Sequence, residues 1–568
     1  MNINIFSLKA RHKKKIWYAS LCVLVIFAVL MVRLGYVMIF CSEYYMQRAD
    51  DLHERERSIK ASRGKILDIN GVVLASNKTV CTISVIHSQI KDSEEVIKML
   101  CSELNLTDEE VRKRVTKVTS IERIKTNVDK ETGDRIRNYG YDGVKVDEDY
   151  KRYYPYDTLA SKVIGFTGSD NQGIVGLEVK YDSWLAGNSG KILTLTDARG
   201  VELEGMQENR NEPESGMDLT ISIDYNIQTY AQQLANKALA EKQAKTVSII
   251  VMNPNNGEIM AMVNAPEYNL NEPYELNYEP ESIVTGEAYR NLLNGMWRNK
   301  CINDTYEPGS TFKIITALSY IRQNDDYYNY SYDCDGQAYI SGGTTIACFD
   351  HTAHGYEDLR KAFANSCNSA FSTIGAGLNK TSFINLCNTF LFNSNLPVGF
   401  EYSKSTMSVT KDSSVSEMQE TGIGQGKTMM SPLHNLMIAA SVANDGVMMT
   451  PYMVDSISDS EGRVVVKNQP SAIDTVMSAE EAEYLTECMR AVVTSGTGYA
   501  MKNSSYEAAG KTGSAQYDDS EKYHSWFTGF APYDNPQIAV CVILEGGYSG
   551  VSSAQYVAKA VFDTYFGY

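Results

Sequence analysis

The run from Ile16 to Phe40 is apolar except for Arg33, and it follows a tail carrying Lys9, Arg11, Lys13, Lys14 and Lys15 with no acidic residue. A stretch of this length and character fits the hydrocarbon of a bilayer, where a backbone must satisfy its own hydrogen bonds and therefore coils into a helix. It is longer than the apolar core of a cleaved signal, and no small-residue cleavage site follows it, which favours an uncleaved anchor over a signal peptide. The expected layout is a cytoplasmic tail over 1–15, a membrane helix over 16–40, and everything from about residue 41 outside the cell membrane.

The remaining chain is too long for one hydrophobic core, so two or more domains are expected from a 568-residue protein. Its formal charge is −17; removing the tail's +5 leaves −22 on the exported part, and no basic tract occurs after residue 15. Nucleic acid is thereby excluded as a partner, because nothing neutralises phosphates. Eleven cysteines include no CxxC and no Cys/His spacing typical of zinc, so neither a metal nor a cofactor is expected. Cys334 and Cys348 flank DGQAYISGGTTIA; an exported location permits either a disulfide between them or two separately buried thiols. His351 and His354 in FDHTAHG read as structural.

From Cys41 to about Leu203, charged helical stretches such as SEEVIKMLCSEL and TDEEVRKRVTKV alternate with short strand-like runs. The polar stretch Glu204 to Asp218 reads as a linker, giving a first, non-catalytic domain over 41–215 and a second over 216–568. The second opens with the helical YNIQTYAQQLANKALAEKQ and a hairpin around Asn-Pro-Asn-Asn-Gly. It closes with a hairpin around Pro-Tyr-Asp-Asn-Pro and the helical VSSAQYVAKAVFDTYF. Hairpins at both ends with helices between them imply an α+β fold, an antiparallel sheet packed by helices.

Within this domain, YEPGSTFKIITAL (Tyr306 to Leu318) sets Ser310 after Pro-Gly at the start of an apolar helix, with Lys313 three residues on. SxxK alone is weak, since it recurs at Ser62, Ser88 and Ser408. FANSCNSAF adds Ser366 and Asn368, and AAGKTGSAQ adds Lys511, Thr512 and Gly513. The set SxxK, SxN, KTG in that order resembles the penicillin-binding proteins and serine β-lactamases. SRGKILDINGVVLA, YKRYYPYDTLASKVIGFTG and GIVGLEVKYDSWLAG in the first domain, and ETGIGQGKTMMSPLHNLMIAASVANDG, VTSGTG and HSWFTGFAP in the second, extend the resemblance to class B penicillin-binding proteins over nearly the whole chain. Ile69 stands where the family often has arginine, and Ser514 where it more often has threonine.

The resemblance implies a pedestal of the dimerisation type over 41–215 and a penicillin-binding transpeptidase domain over 216–568. It also implies a membrane-anchored, serine-type peptidoglycan D,D-transpeptidase, whose acyl donor is the D-Ala-D-Ala end of a stem peptide and which β-lactams acylate. A serine hydroxyl needs a base, and Lys313 serves if burial and a second cation, Lys511, keep it neutral. Ser366 then bridges the lysines and passes a proton to the leaving amine. The backbone N–H groups of Ser310 and Ser514 are expected to hold the oxyanion. Lys511 and Thr512 suit a substrate carboxylate, Gly513 leaves room beside it, and Asn368 holds the peptide amide. His524 and Trp526 read as packing residues, and GIGQG lacks the residues of a phosphate loop. With no candidate glycosyltransferase module, strand polymerisation falls to a separate membrane partner. A β-lactamase or β-lactam sensor using the same serine, and an inactive scaffold of the wall-synthesis machinery, stand as alternatives.

Overall fold

The computed structural model describes residues 5–45, 54–119, 121–195, 209–280, 282–340, 342–503, 505–517, 522–548 and 553–568. Helix α1 (Ile5–Phe40) carries the apolar run; Lys13–Phe40 has a mean hydropathy of 2.6 and is long enough to cross a membrane. Large apolar side chains such as Leu24, Phe27 and Val32 lie exposed along it. This is the surface a lipid-facing helix presents, and the helix fits a single-pass membrane anchor.

The chain divides into two compact units. The first comprises 1–61, 79–150 and 188–214. Here the part of β1 (Val73–Val85) from Thr79 onward pairs antiparallel with β2 (Glu122–Asp129), from Val80 to Val85. Helices α2 (Ser93–Leu104), α3 (Asp108–Val115) and α4 (Lys130–Tyr139) accompany the pair. α2 and α3 are the two charged segments read as helical; Asp92 caps α2, and a capping box between Thr107 and Glu110 starts α3. Their apolar stripes, Val96, Ile97, Leu100 and Leu104 on one and Val111 and Val115 on the other, close on Ile83, Val85 and Ile124 to form the core.

The segment read as a linker is more ordered than its composition implies. Residues 204–208 lie outside the described residues, but Asn209–Asn211 forms a strand on Gly190–Leu195 and Glu214 bridges to Asn188. Strand pairing uses only backbone groups, so a polar edge segment can pair without contributing to a core.

The second unit comprises 62–78, 151–187 and 215–568. Parts of the region expected to be a separate first domain are thus built into it: Ile66–Leu67 pairs in parallel with Asp218–Ile221. The quoted segments SRGK, YKRYYPYD and GLEVKYDSW meet around Glu178, which is fully buried. Arg63 Nε donates to its Oε2 at 2.6 Å and Arg152 Nε to its Oε1 at 2.7 Å, while Arg63 Nη1 reaches Asp182 at 2.7 Å.

Farther along, α5 (Tyr225–Lys242) leads into the hairpin of β3 (Thr246–Met252) and β4 (Ile259–Ala265). After two intervening helices, Gly286–Trp297 and Lys300–Asn303, comes α6 (Lys313–Gln323), followed by four three-residue strands: β5 (Tyr332–Cys334), β6 (Gln337–Tyr339), β7 (Thr345–Ala347) and β8 (Gly355–Glu357). β5 pairs with β8, and β6 with β7. Then come α7 (Leu359–Ala364), α8 (Asn368–Gly377), α9 (Pro432–Ala443) and α10 (Ala479–Ser495). The chain ends with β9 (Ala509–Gln516), β10 (Lys522–Ala531), β11 (Ile538–Tyr548) and α11 (Ser553–Phe566).

The main sheet runs β4-β3-β11-β10-β9, antiparallel throughout. β3 is buried at every position: Val247, Ile249 and Val251 face the core shared with α5 and α11, while Ile250 and Met252 join the larger core containing α6 and α9. A strand covered on both faces explains the continuous apolar run TVSIIVM. Both expected hairpins and both flanking helices form, and β9, with the KTG triplet, lies at the sheet edge.

Candidate active site

Ser310 stands in a single 3-10 turn, Gly309–Phe312, that feeds α6. Phe312, Ile314, Ile315, Ala317 and Leu318 are buried and hold this turn and helix in the core. Gly309 has φ +52°, and a Cβ there would lie 2.4 Å from Ser514 O, so glycine is required twice over. Its N–H donates to Gly424 O at 2.9 Å, which seats the GIGQG loop against the serine turn.

Lys313 is fully buried, yet its ammonium is well coordinated. Nζ donates to Ser366 O at 2.7 Å, to Ser366 Oγ at 3.3 Å and to Asn368 Oδ1 at 2.8 Å; none of these bonds goes to Ser310. Ser366 adopts φ +54° in the turn between α7 and α8, a left-handed backbone that brings its carbonyl and hydroxyl to the same lysine. Asn368 opens α8, and its Nδ2 donates to Ala347 O at 3.1 Å.

From the sheet side, Lys511 Nζ donates to Ser366 Oγ at 2.9 Å and to Thr512 O at 3.0 Å. Two buried lysines therefore share one hydroxyl. Burial pushes Lys313 down to about 8. Burial, reinforced by the nearby Lys313 charge, pushes Lys511 well below the usual lysine range. Repulsion between two ammonium groups is mutual, so the pair holds its second proton weakly.

On β9, Lys511 pairs with Thr528, Thr512 with Phe527, Gly513 with Trp526 and Ser514 with Ser525. Thr512 Oγ1 lies 2.6 Å from Thr497 Oγ1, and a Cβ on Gly513 would come within 3.1 Å of Pro308 O. A cleft of about 350 Å³ is lined by Ser310, Ser366, Asn368, Thr512, Gly513 and Ser514, together with Thr497, Gln425, His354 and Tyr523. The structure thus gathers every sequence-predicted site residue: six line the cleft, and Lys313 and Lys511 are buried against Ser366.

Thr497 was not singled out by the sequence reading, although it lies in the quoted VTSGTG segment; its hydroxyl completes a pair with that of Thr512. His354, expected to be merely structural, lines the cleft. Trp526 is fully buried with its Nε1 donating to Glu307 O at 3.1 Å, and His524 packs edge-on against Tyr306. These two residues do pack.

The cysteines need a correction. Spacing showed no Cys/His cluster, but Cys334, Cys348, Cys367 and His354 bring their ligand atoms within 4.8 Å of one another. They come from four short segments that only the fold assembles. Cys334 and Cys348 are neither disulfide-bonded nor separate: their sulfurs are 3.7 Å apart.

The family profile described as penicillin binding protein transpeptidase domain matches residues 247–563, and that of the penicillin-binding protein dimerisation domain matches 58–221. The chain belongs to the penicillin-binding protein family. A dimerisation domain ahead of the transpeptidase domain places it in class B. The stage V sporulation protein D of Bacillus subtilis is 30% identical over 97% of this chain and 84% of its own. The peptidoglycan D,D-transpeptidase MrdA of Acinetobacter baumannii is 28% identical over 98% of this chain and 88% of its own. A peptidoglycan synthetase from Bifidobacterium adolescentis has the same fold, with TM-score 0.70 at 18% identity, covering 90% of this chain and 96% of that one.

Proposed function

We propose that this penicillin-binding protein is a membrane-anchored peptidoglycan D,D-transpeptidase that cross-links stem peptides through an acyl-enzyme on Ser310. The observation that carries the reading is the Ser366 hydroxyl, held between Lys313 and Lys511 beside the cleft that Ser310 lines.

Ser310 Oγ attacks the carbonyl of the penultimate D-Ala, and Lys313, in the neutral form that burial brings within reach by lowering its pKa to about 8, takes the hydroxyl proton. A hydroxyl accepts and donates at once, so Ser366 can carry that proton on to the departing D-Ala amine. The N–H groups of Ser310 and Ser514 hold the oxyanion. The donor's terminal carboxylate lies against Lys511, Thr512 and Thr497, which supplies the negative charge that the lysine pair lacks. Its arrival draws a proton to Lys511 and favours Lys313 as the neutral member. Asn368 holds the peptide amide, and Gly513 admits the substrate backbone close to β9. An acceptor amine from a neighbouring strand then takes the acyl group; a β-lactam, mimicking the donor, leaves Ser310 acylated.

The basic tail supports an anchor with its N-terminus in the cytoplasm and the catalytic unit outside. A separate membrane glycosyltransferase supplies the strands to be joined.

The test is to label the full chain in detergent with a fluorescent penicillin, follow the adduct and map it. A lasting adduct on Ser310, absent from Ser310→Ala, is expected. Rapid loss with hydrolysis of the drug would mark a β-lactamase, and no adduct on folded protein would mark a scaffold.

A further inference from the structure

We infer that Cys334, Cys348, Cys367 and His354 form a tetrahedral zinc site directly behind the Ser366–Asn368 turn. Cys334 Sγ lies 3.7 Å from Cys348 Sγ and 3.4 Å from His354 Nδ1, and Cys348 Sγ lies 3.7 Å from Cys367 Sγ. A zinc ion bonded at ~2.3 Å to sulfur and ~2.0 Å to nitrogen requires tetrahedral edges of about 3.8 Å between sulfurs and about 3.5 Å from sulfur to nitrogen. These three separations have those lengths, and the remaining pairs of ligand atoms lie within 4.8 Å. A disulfide needs sulfurs at ~2.05 Å and would use only two of the three thiols.

The surroundings suit thiolates. The three sulfurs are buried, Ala370 N–H points at Cys367 Sγ at 3.4 Å, and the Ser369 hydroxyl lies 3.2 Å from Cys348 Sγ. Soft thiolates with one imbidazole-type nitrogen donor select zinc over calcium or magnesium, and four protein ligands make a closed, structural site. Binding displaces three thiol protons into solvent and leaves the ion redox-silent.

The position gives the ion a task. Cys334 ends β5, Cys348 follows β7, His354 precedes β8 and Cys367 precedes α8, so one ion ties two isolated two-stranded ribbons to the start of a helix. Such ribbons are marginal alone. Cys367 stands between Ser366 and Asn368, and Asn368 Nδ2 also holds the carbonyl of Ala347 beside Cys348. Zinc thereby positions the hydroxyl shared by the two lysines.

The full chain, purified under reducing conditions without chelator, should retain about one zinc per chain by elemental analysis. Cys348→Ser and His354→Ala should lose it, and Cys101→Ser, in the other unit, should keep it. Cobalt added to the stripped wild-type protein should give the intense absorption of a tetrahedral thiolate complex, a readout independent of whether any variant folds. Stripping should slow fluorescent-penicillin acylation by at least ~10-fold, with recovery on adding zinc. The inference fails if reduced, penicillin-reactive protein holds no stoichiometric zinc and gives no thiolate–cobalt spectrum, or if peptide mapping finds Cys334 and Cys348 oxidised to a disulfide. Because metal content and the cobalt spectrum do not depend on turnover, failure of the proposed reaction would leave this result standing.

Discussion

Lys511 donates to the Ser366 hydroxyl at 2.9 Å from a strand, and that same hydroxyl faces Lys313 on a helix of the opposite wall. A sheet edge and a helical layer are thus joined through one oxygen. Most of the testable chemistry depends on that junction.

Acylation of Ser310 should rise with pH. Lys313 acts as base only when neutral, so its contribution is absent below its pKa and complete above it; with that pKa held down to about 8, the rate should climb through about pH 8 and level off. Stopped-flow acylation of the full chain with a chromogenic β-lactam checks this. Lys313→Arg should abolish the rise and lower the rate by ~10² to 10⁴.

Ser366→Ala removes the shared hydroxyl, and the acylation rate should fall by ~10² or more. Alanine at φ +54° keeps the left-handed strain of about 1–2 kcal/mol that the serine already bears. Ser366→Gly relieves that strain, so the two variants should differ in melting temperature while remaining comparably slow.

Gly309→Ala should be nearly inert towards penicillin. Its methyl group would have to displace Ser514 O, 2.4 Å away, and with it the strand expected to hold the oxyanion. Removing one oxyanion donor typically costs ~10² to 10³ in rate, and the measurement is again the acylation rate.

Glu178→Ala should destabilise the second unit without altering the cleft chemistry. It strands Arg63 and Arg152, both buried, without their shared carboxylate. Breaking such a buried pair costs about 3–5 kcal/mol. A lowered melting temperature, with penicillin labelling at low temperature preserved, is the expected result.

Thr497→Val should weaken donor binding more than turnover. It leaves Thr512 Oγ1 without its 2.6 Å partner at the place proposed for the carboxylate. The KM for a D-Ala-D-Ala donor should rise several-fold with kcat little changed.

The sequence was informative where a signal is local. Pro-Gly before an apolar helix located the Ser310 turn, and apolar runs on either side of turn residues marked both hairpins of the sheet. The Glu178 network was visible only as three separate motifs, because nothing in SRGK, YKRYYPYD or GLEVKYDSW says that their charges meet. The linker reading was incomplete for a related reason: polarity reports the absence of a core, not the absence of backbone pairing.

By itself, then, the sequence determined the anchor, the elements of the α+β unit and the residues able to perform acyl transfer, since hydrophobic periodicity, caps and turn residues act over a few positions. Only the tertiary structure decided that Ser366 stands between two lysines 145 residues apart from it on one side and 53 on the other, that Thr497 joins Thr512, and that three cysteines converge with His354. Those distances are set by packing side chains from remote segments into one core, and no local pattern records them.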